Sequence, residues 1–220
     1  MFKFFNPDNP IMQFISKVFD LIILNILFIV TCIPVFTIGA SLSAMYYVTL
    51  KIVRKDEEDG ILLTYWKGFK NNFKQGTIIW LIFLAIFALL GLDFNIVSVQ
   101  SSTSFTILKA VLIAISIFLF SMFLYVFPII SHFVCSVTQA FKNSALMTIA
   151  HLPYTVLLFL LYGGIFWLFT RSAQMLIMGV TLTTLLGYSL IALISSVLFG
   201  KIFRNYEPKE SDEEKPAEEV

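Results

Sequence analysis

Charge is what this chain lacks. Between Gln75 and Gly200 the 220-residue sequence carries four formally charged side chains, Asp93, Lys109, Lys142 and Arg171. So sparse a stretch excludes a water-soluble domain, whose surface needs roughly a quarter of its residues charged. Cysteine is scarce as well: Cys32 and Cys135 both lie in or beside apolar stretches, which excludes a disulfide framework and leaves too few soft ligands for a metal centre. They are packing residues. Catalytic signatures are missing too, with no G-x-S-x-G elbow, no phosphate-cradling glycine loop and no H-E-x-x-H helix. No cofactor, resident metal or enzymatic activity is expected. The first apolar run begins near Val18 and reaches Leu50 without an A-x-A-like ending, so it reads as an uncleaved anchor instead of a signal peptide.

What is present is apolar surface. The chain is 58% hydrophobic, holds 24 Phe and has a mean hydropathy of +0.88. A helix crosses a hydrocarbon core of about 30 Å with about 20 apolar residues, and several such runs follow one another. The fold class expected is therefore all-α, a polytopic transmembrane bundle of about five spans with short amphipathic interfacial helices. An N-terminal segment (1–17) precedes the bundle (18–204), and an acidic, disordered tail (205–220) follows it. The spans are placed at 18–50, 76–97, 105–130, 145–169 and 174–199. The first would be about 50 Å long as a single helix, which exceeds the bilayer core. Pro34 supplies the break, since proline cannot donate to the carbonyl four residues earlier; Thr37 and Gly39 are read as capping and restarting the helix. The alternative is a re-entrant hairpin of two half-length helices. Orientation follows from cation counts: the connections after the first and third spans and the region from Lys201 carry eleven Lys or Arg, against four on the other side. That puts the C-terminus in the cytoplasm and, with five spans, the N-terminus outside.

Residues 61–74 read as an interfacial helix. Leu62, Leu63, Trp66, Phe69 and Phe73 recur at helical spacing with Tyr65 among them, and Lys67, Lys70 and Lys74 flank the stripe. Aromatics in headgroups beside cations suit an anionic bilayer surface or a docking partner, next to the acidic turn Asp56 to Asp59, and argue against nucleic acid. A similar stretch, Thr138 to Ala145, precedes the fourth span, so a unit of span, interfacial helix and span is read as used twice, a pattern known in transporters.

Other candidates follow from residue type. Gly39 with Ser43, and Gly179 with Gly187, set small side chains at helical spacing, where two helix backbones approach closely. Asp20 and Asp93 are the acids nearest the membrane interior, where a carboxylate costs at least about 2.5 kcal/mol; both are read as interfacial. His132 and His151 bracket the second cytoplasmic connection. Two histidines make a weak metal site, and His151 is read as bonding carbonyls freed by Pro153.

Taken in order, Asn6-Pro7, Asn9-Pro10, the run Pro34 to Ser41, Tyr46-Tyr47, Trp66 to Gln75 and Ala150-His151-Leu152-Pro153 resemble the YesL family of bacterial integral membrane proteins. The resemblance implies a five-helix membrane protein without an assigned activity, often encoded beside carbohydrate importers, polysaccharide-degrading enzymes and sensor-regulator pairs. It carries over no catalytic residue. The function expected is a non-enzymatic accessory or regulatory protein that contacts a sugar-uptake or sensing complex. The alternative is a small-solute transporter built from the tandem unit, and an intramembrane enzyme gathering Asp20, His132 and His151 ranks third.

Overall fold

The structure is a computed structural model that describes residues 10–56, 60–98 and 103–207. These residues are almost all helical, with no strand among them. The chain runs α1 (Pro10–Cys32), a 3-10 turn (Val35–Thr37), α2 (Ile38–Arg54), α3 (Ile61–Ser98), α4 (Thr103–His132), α5 (Val137–Ala150), α6 (Leu152–Thr170) and α7 (Ala173–Leu182). A π turn (Thr183–Gly187) then leads into α8 (Tyr188–Phe203). This is the all-α polytopic bundle expected. Most of the tail, the acidic residues 57–59 and the N-terminal residues 1–9 lie outside the described residues.

Among the described residues six helical segments, not five, are long and apolar enough to cross a membrane: Ile15–Cys32, Val35–Arg54, Ile61–Val97, Phe105–His132, Leu152–Thr170 and Ala173–Phe203. The difference lies at Pro34. A kink would keep 18–50 as one rod; here the chain leaves helical geometry at Ile33 and Pro34 and restarts as a separate α2. The break is sealed from inside. Thr37 Oγ1 donates to the carbonyls of Thr31 and Pro34, and the Trp80 indole N–H donates to Val35 O at 2.9 Å. Thr37 thus serves the carbonyl end of α1 and places no side-chain cap on α2, a correction to the capping role expected of it. Backbone groups that leave a helix away from water must find such partners within the protein.

α2 and α3 form an antiparallel hairpin with very close backbones. A Cβ on Gly39 would collide with the Gly76 carbonyl and the Trp80 side chain, and one on Gly76 would lie 2.9 Å from the Ala40 nitrogen. Farther along, Tyr47 covers Gly68, where a Cβ would lie 2.8 Å from its ring. α8 lies parallel to α2: Thr49 bonds Ser196 at 2.7 Å, and a Cβ on Gly200 would touch Val53 at 3.5 Å. Aromatic rings fill the α3–α4 space, with Phe123 packed against Trp80, Phe83, Phe87 and Phe127. The faces turned outward are apolar, as on α1 at Ile15, Phe19, Ile26 and Val30, which suits lipid as the surrounding solvent.

Two further expectations change. The helix read as interfacial over 61–74 is the first part of the 38-residue α3, because nothing between Phe73 and Thr77 interrupts its backbone hydrogen bonds. The span expected to start at 145 starts at Leu152, since the chain turns a corner at His151 (φ −118°, ψ 43°) ahead of Pro153. α5 is therefore a separate helix, opened by a reciprocal cap in which Ser136 accepts from the Gln139 amide and Gln139 accepts from the Ser136 amide. The two repeat-like stretches consequently sit in differently built elements.

Candidate functional site at the cation-rich end

The helix ends nearest the cationic connections converge on the first residues after α8. Arg54, closing α2, donates through Nη2 to the Glu207 carboxylate. His132, closing α4, places Nε2 2.9 Å from the same Glu207 oxygen and 2.9 Å from Arg54 Nη2. A single ring nitrogen serves only one of these: it accepts from Arg54 when bare, or donates to Glu207 when it carries a proton. The ring itself is fixed, stacked on Phe203 at 5.3 Å with planes 4° apart. His151, at the α5–α6 corner, bonds Tyr206 Oη at 3.0 Å. The carbonyls around Pro153 are served instead by Thr155, whose hydroxyl reaches Thr148 O and His151 O; this replaces the role expected of His151. Four helix ends thus hold one short segment, Tyr206-Glu207, that the sequence assigned to a disordered tail.

Glu207 lies outside the spans. Burial pushes its carboxyl up, but hydrogen bonds from Arg54 and His132 and the Arg54 charge outweigh this and hold it below the ordinary carboxylate value. A depressed carboxylate stabilises the folded contact above the unfolded pKa and loses that contribution as pH falls through the folded one. The clasp is therefore expected to stay closed at neutral pH and to open only below the usual glutamate range. A spin label at Asn205 tests this: its mobility rises at acid pH in the native chain, and is already raised at neutral pH in Glu207→Gln. With both partners about one-third exposed, the ion pair contributes at most about 1 kcal/mol.

Next to the clasp lies a cavity of about 470 Å³ lined by Phe133, Cys135, Gln139, Asn143, Met147 and Tyr206 among others. Burial pushes the Cys135 thiol up from its ordinary value despite a bond from Gln75. On the outer side of α3, Leu62, Leu63, Trp66 and Phe73 are exposed, with Lys70 5.6 Å from the Trp66 ring. Lys67 and Lys74 are exposed and Phe69 half-buried. Tyr65, expected in this stripe, is instead fully buried and bonds Thr31.

The remaining candidates are scattered. Ser43 is buried and bonds Gly39 O, Asp20 is half-buried on α1, and Asp93 is exposed near the end of α3. Gly179 packs on the Phe169 ring, whereas a Cβ on Gly187 would meet Thr183 of its own π turn; the two glycines form no common seam. Sequence reasoning missed Asn25. It is fully buried, donates to the carbonyls of Thr183 (3.1 Å) and Thr184 (2.7 Å), and accepts from the Ser189 amide at 3.1 Å. A π turn frees backbone groups from the α-helical pattern, and this one amide satisfies three of them. The signal was available: an amide in the middle of an apolar run must pair.

Residues 21–94 match a family described as a protein of unknown function, DUF624. The chain is 23% identical to the uncharacterized protein YesL of Bacillus subtilis (strain 168) over 208 residues, 94% of this chain and 95% of YesL. It is 30% identical to the uncharacterized protein YteU of the same organism over 137 residues, 61% of this chain. The chain spans about 60% of YteU's length in that match. No solved structure matches.

Proposed function

We propose, for this YesL-like multi-pass membrane protein, a non-enzymatic accessory or regulatory role exercised at the cation-rich end of the bundle. The observation that carries the reading is the concentration of pairing polar side chains there, Arg54, His132, His151, Tyr206 and Glu207, beside the exposed aromatic and cationic face of α3. A surface of that kind suits docking in the headgroup region. Association with a carbohydrate importer or sensor is drawn from the family resemblance alone. The test is purification in detergent from cells expressing the chain at native level, with cross-linking from a photoreactive residue at Trp66. Recovery of a transporter or sensor subunit supports the role; cross-links to lipid alone overturn it.

Topology belongs to the same proposal. Six crossings bring the N-terminal segment to the cytoplasmic side, so Lys3 and Lys17 join the eleven cations already there, making thirteen against Lys109 and Arg171. The positive-inside rule favours this over the eleven-to-four division of five spans. The bacterial cytoplasmic membrane is the location proposed.

A second reading, a small-solute transporter, is favoured by one observation. The chain breaks at Pro34 directly after α1, and α1 also clamps the π turn through Asn25; irregular backbone of this kind lines translocation sites. Flux in proteoliposomes that fails in Asn25→Leu supports it, and absence of flux across a panel of oligosaccharides and ions disposes of it.

A further inference from the structure

A second cavity, of about 450 Å³, lies in the groove between the last turns of α2 and α8. Its apolar lining is Val53, Val197 and Gly200, and its polar lining is Arg54, Lys201, Arg204 and Glu207. Cations at helix C-termini commonly serve the last carbonyls. Here the backbone already does so: Lys55 N–H reaches Ile52 O, Asp56 N–H reaches Lys51 O, and Arg204 and Asn205 N–H reach Gly200 O and Ile202 O. Lys201 and Arg204 are thus not needed by those carbonyls, while Arg54 at the rim already holds one carboxylate, Glu207, and bonds His132. Among the described lining residues three cations face one carboxylate, an excess of positive charge over an apolar floor. Val197 continues that floor onto an outward-facing, exposed side of α8.

We propose that this groove binds the phosphate of an anionic phospholipid, with the headgroup on Arg54, Lys201 and Arg204 and an acyl chain along Val197 and Val53. Glu207 competes with that phosphate for Arg54, so lipid binding and clasp closure oppose each other. The same phosphate chemistry could be met by a soluble phosphate ester, and the experiment separates the two sources.

The purified full chain in neutral detergent is titrated with phosphatidylglycerol, phosphatidylcholine or inorganic phosphate, and retention of lipid is read by native mass spectrometry. The native chain should retain phosphatidylglycerol about tenfold better than phosphatidylcholine, and Glu207→Gln should raise that retention severalfold. Lys201→Gln with Arg204→Gln, two exposed positions outside the clasp, should erase the preference. Displacement of phosphatidylglycerol by millimolar inorganic phosphate would assign the site to soluble phosphates, and failure to displace would assign it to lipid; either retains the phosphate chemistry. An unchanged preference in the double variant, or equal retention of both lipids by the native chain, overturns the proposal.

Discussion

Gly39→Leu should prevent α2 and α3 from pairing and cost the bundle about 3 kcal/mol, the upper end for overpacking. The leucine side chain would have to occupy space filled by the Gly76 carbonyl and Trp80. Neither yields easily. The first is backbone within a 38-residue helix, and the second is tied to Val35 O through its indole N–H. Because that same bond helps seal the Pro34 break, the damage should spread to the α1–α2 connection. Reversible unfolding in mixed micelles measures the loss. Gly76→Leu should behave likewise, whereas Gly163→Ala, where a Cβ meets nothing within 4 Å, should be neutral or slightly stabilising. Equal stability of the native chain and Gly39→Leu would mean that the α2–α3 contact is not formed as described.

Asn25→Leu keeps the side-chain volume but removes all three bonds to the π turn. Polar contacts within membrane bundles average about 0.6 kcal/mol each, so the loss should be about 2 kcal/mol. The informative result is local. Amides from Thr183 to Ser189 should exchange faster in the variant, because two carbonyls and the Ser189 amide lose their shared partner. Ser189 keeps its own hydroxyl bond to Leu21 O at 2.8 Å, which should hold α1 and α8 together and confine the change. Exchange unchanged across 183–189 would show that the π turn stands without Asn25.

The fold class was legible because it rests on composition and run length alone. Four later spans follow from apolar runs between charged or proline-marked connections, and Gly39 was legible as a close-packing position, though not its partner Gly76. What was not legible depends on long-range pairing. A π turn leaves no mark in hydropathy, so Asn25 had no visible counterpart 158 residues away at Thr183. Glu207 sits in an acid-rich, low-hydropathy sequence that resembles any solvated tail, and only the convergence of α2 and α4 on it shows that it is held against the bundle. The separation of α1 from α2 was not legible for a subtler reason. Proline at 34 is compatible with a kink or a full break, and the choice is decided by whether Thr37 and Trp80 satisfy the opened carbonyls, which is a tertiary fact.

The division of 18–50 into two crossing helices is the central claim, since it sets the side on which the N-terminal segment lies and the cation balance across the bilayer. A single cysteine at Asp8, in a background with Cys32 and Cys135 replaced by serine, tests it with a membrane-impermeant thiol reagent on whole cells, and a cysteine at Arg171 serves as the external control. Labelling at Arg171 on intact cells, with labelling at Asp8 only after permeabilisation, is the result expected of six crossings; labelling of both on intact cells would contradict it.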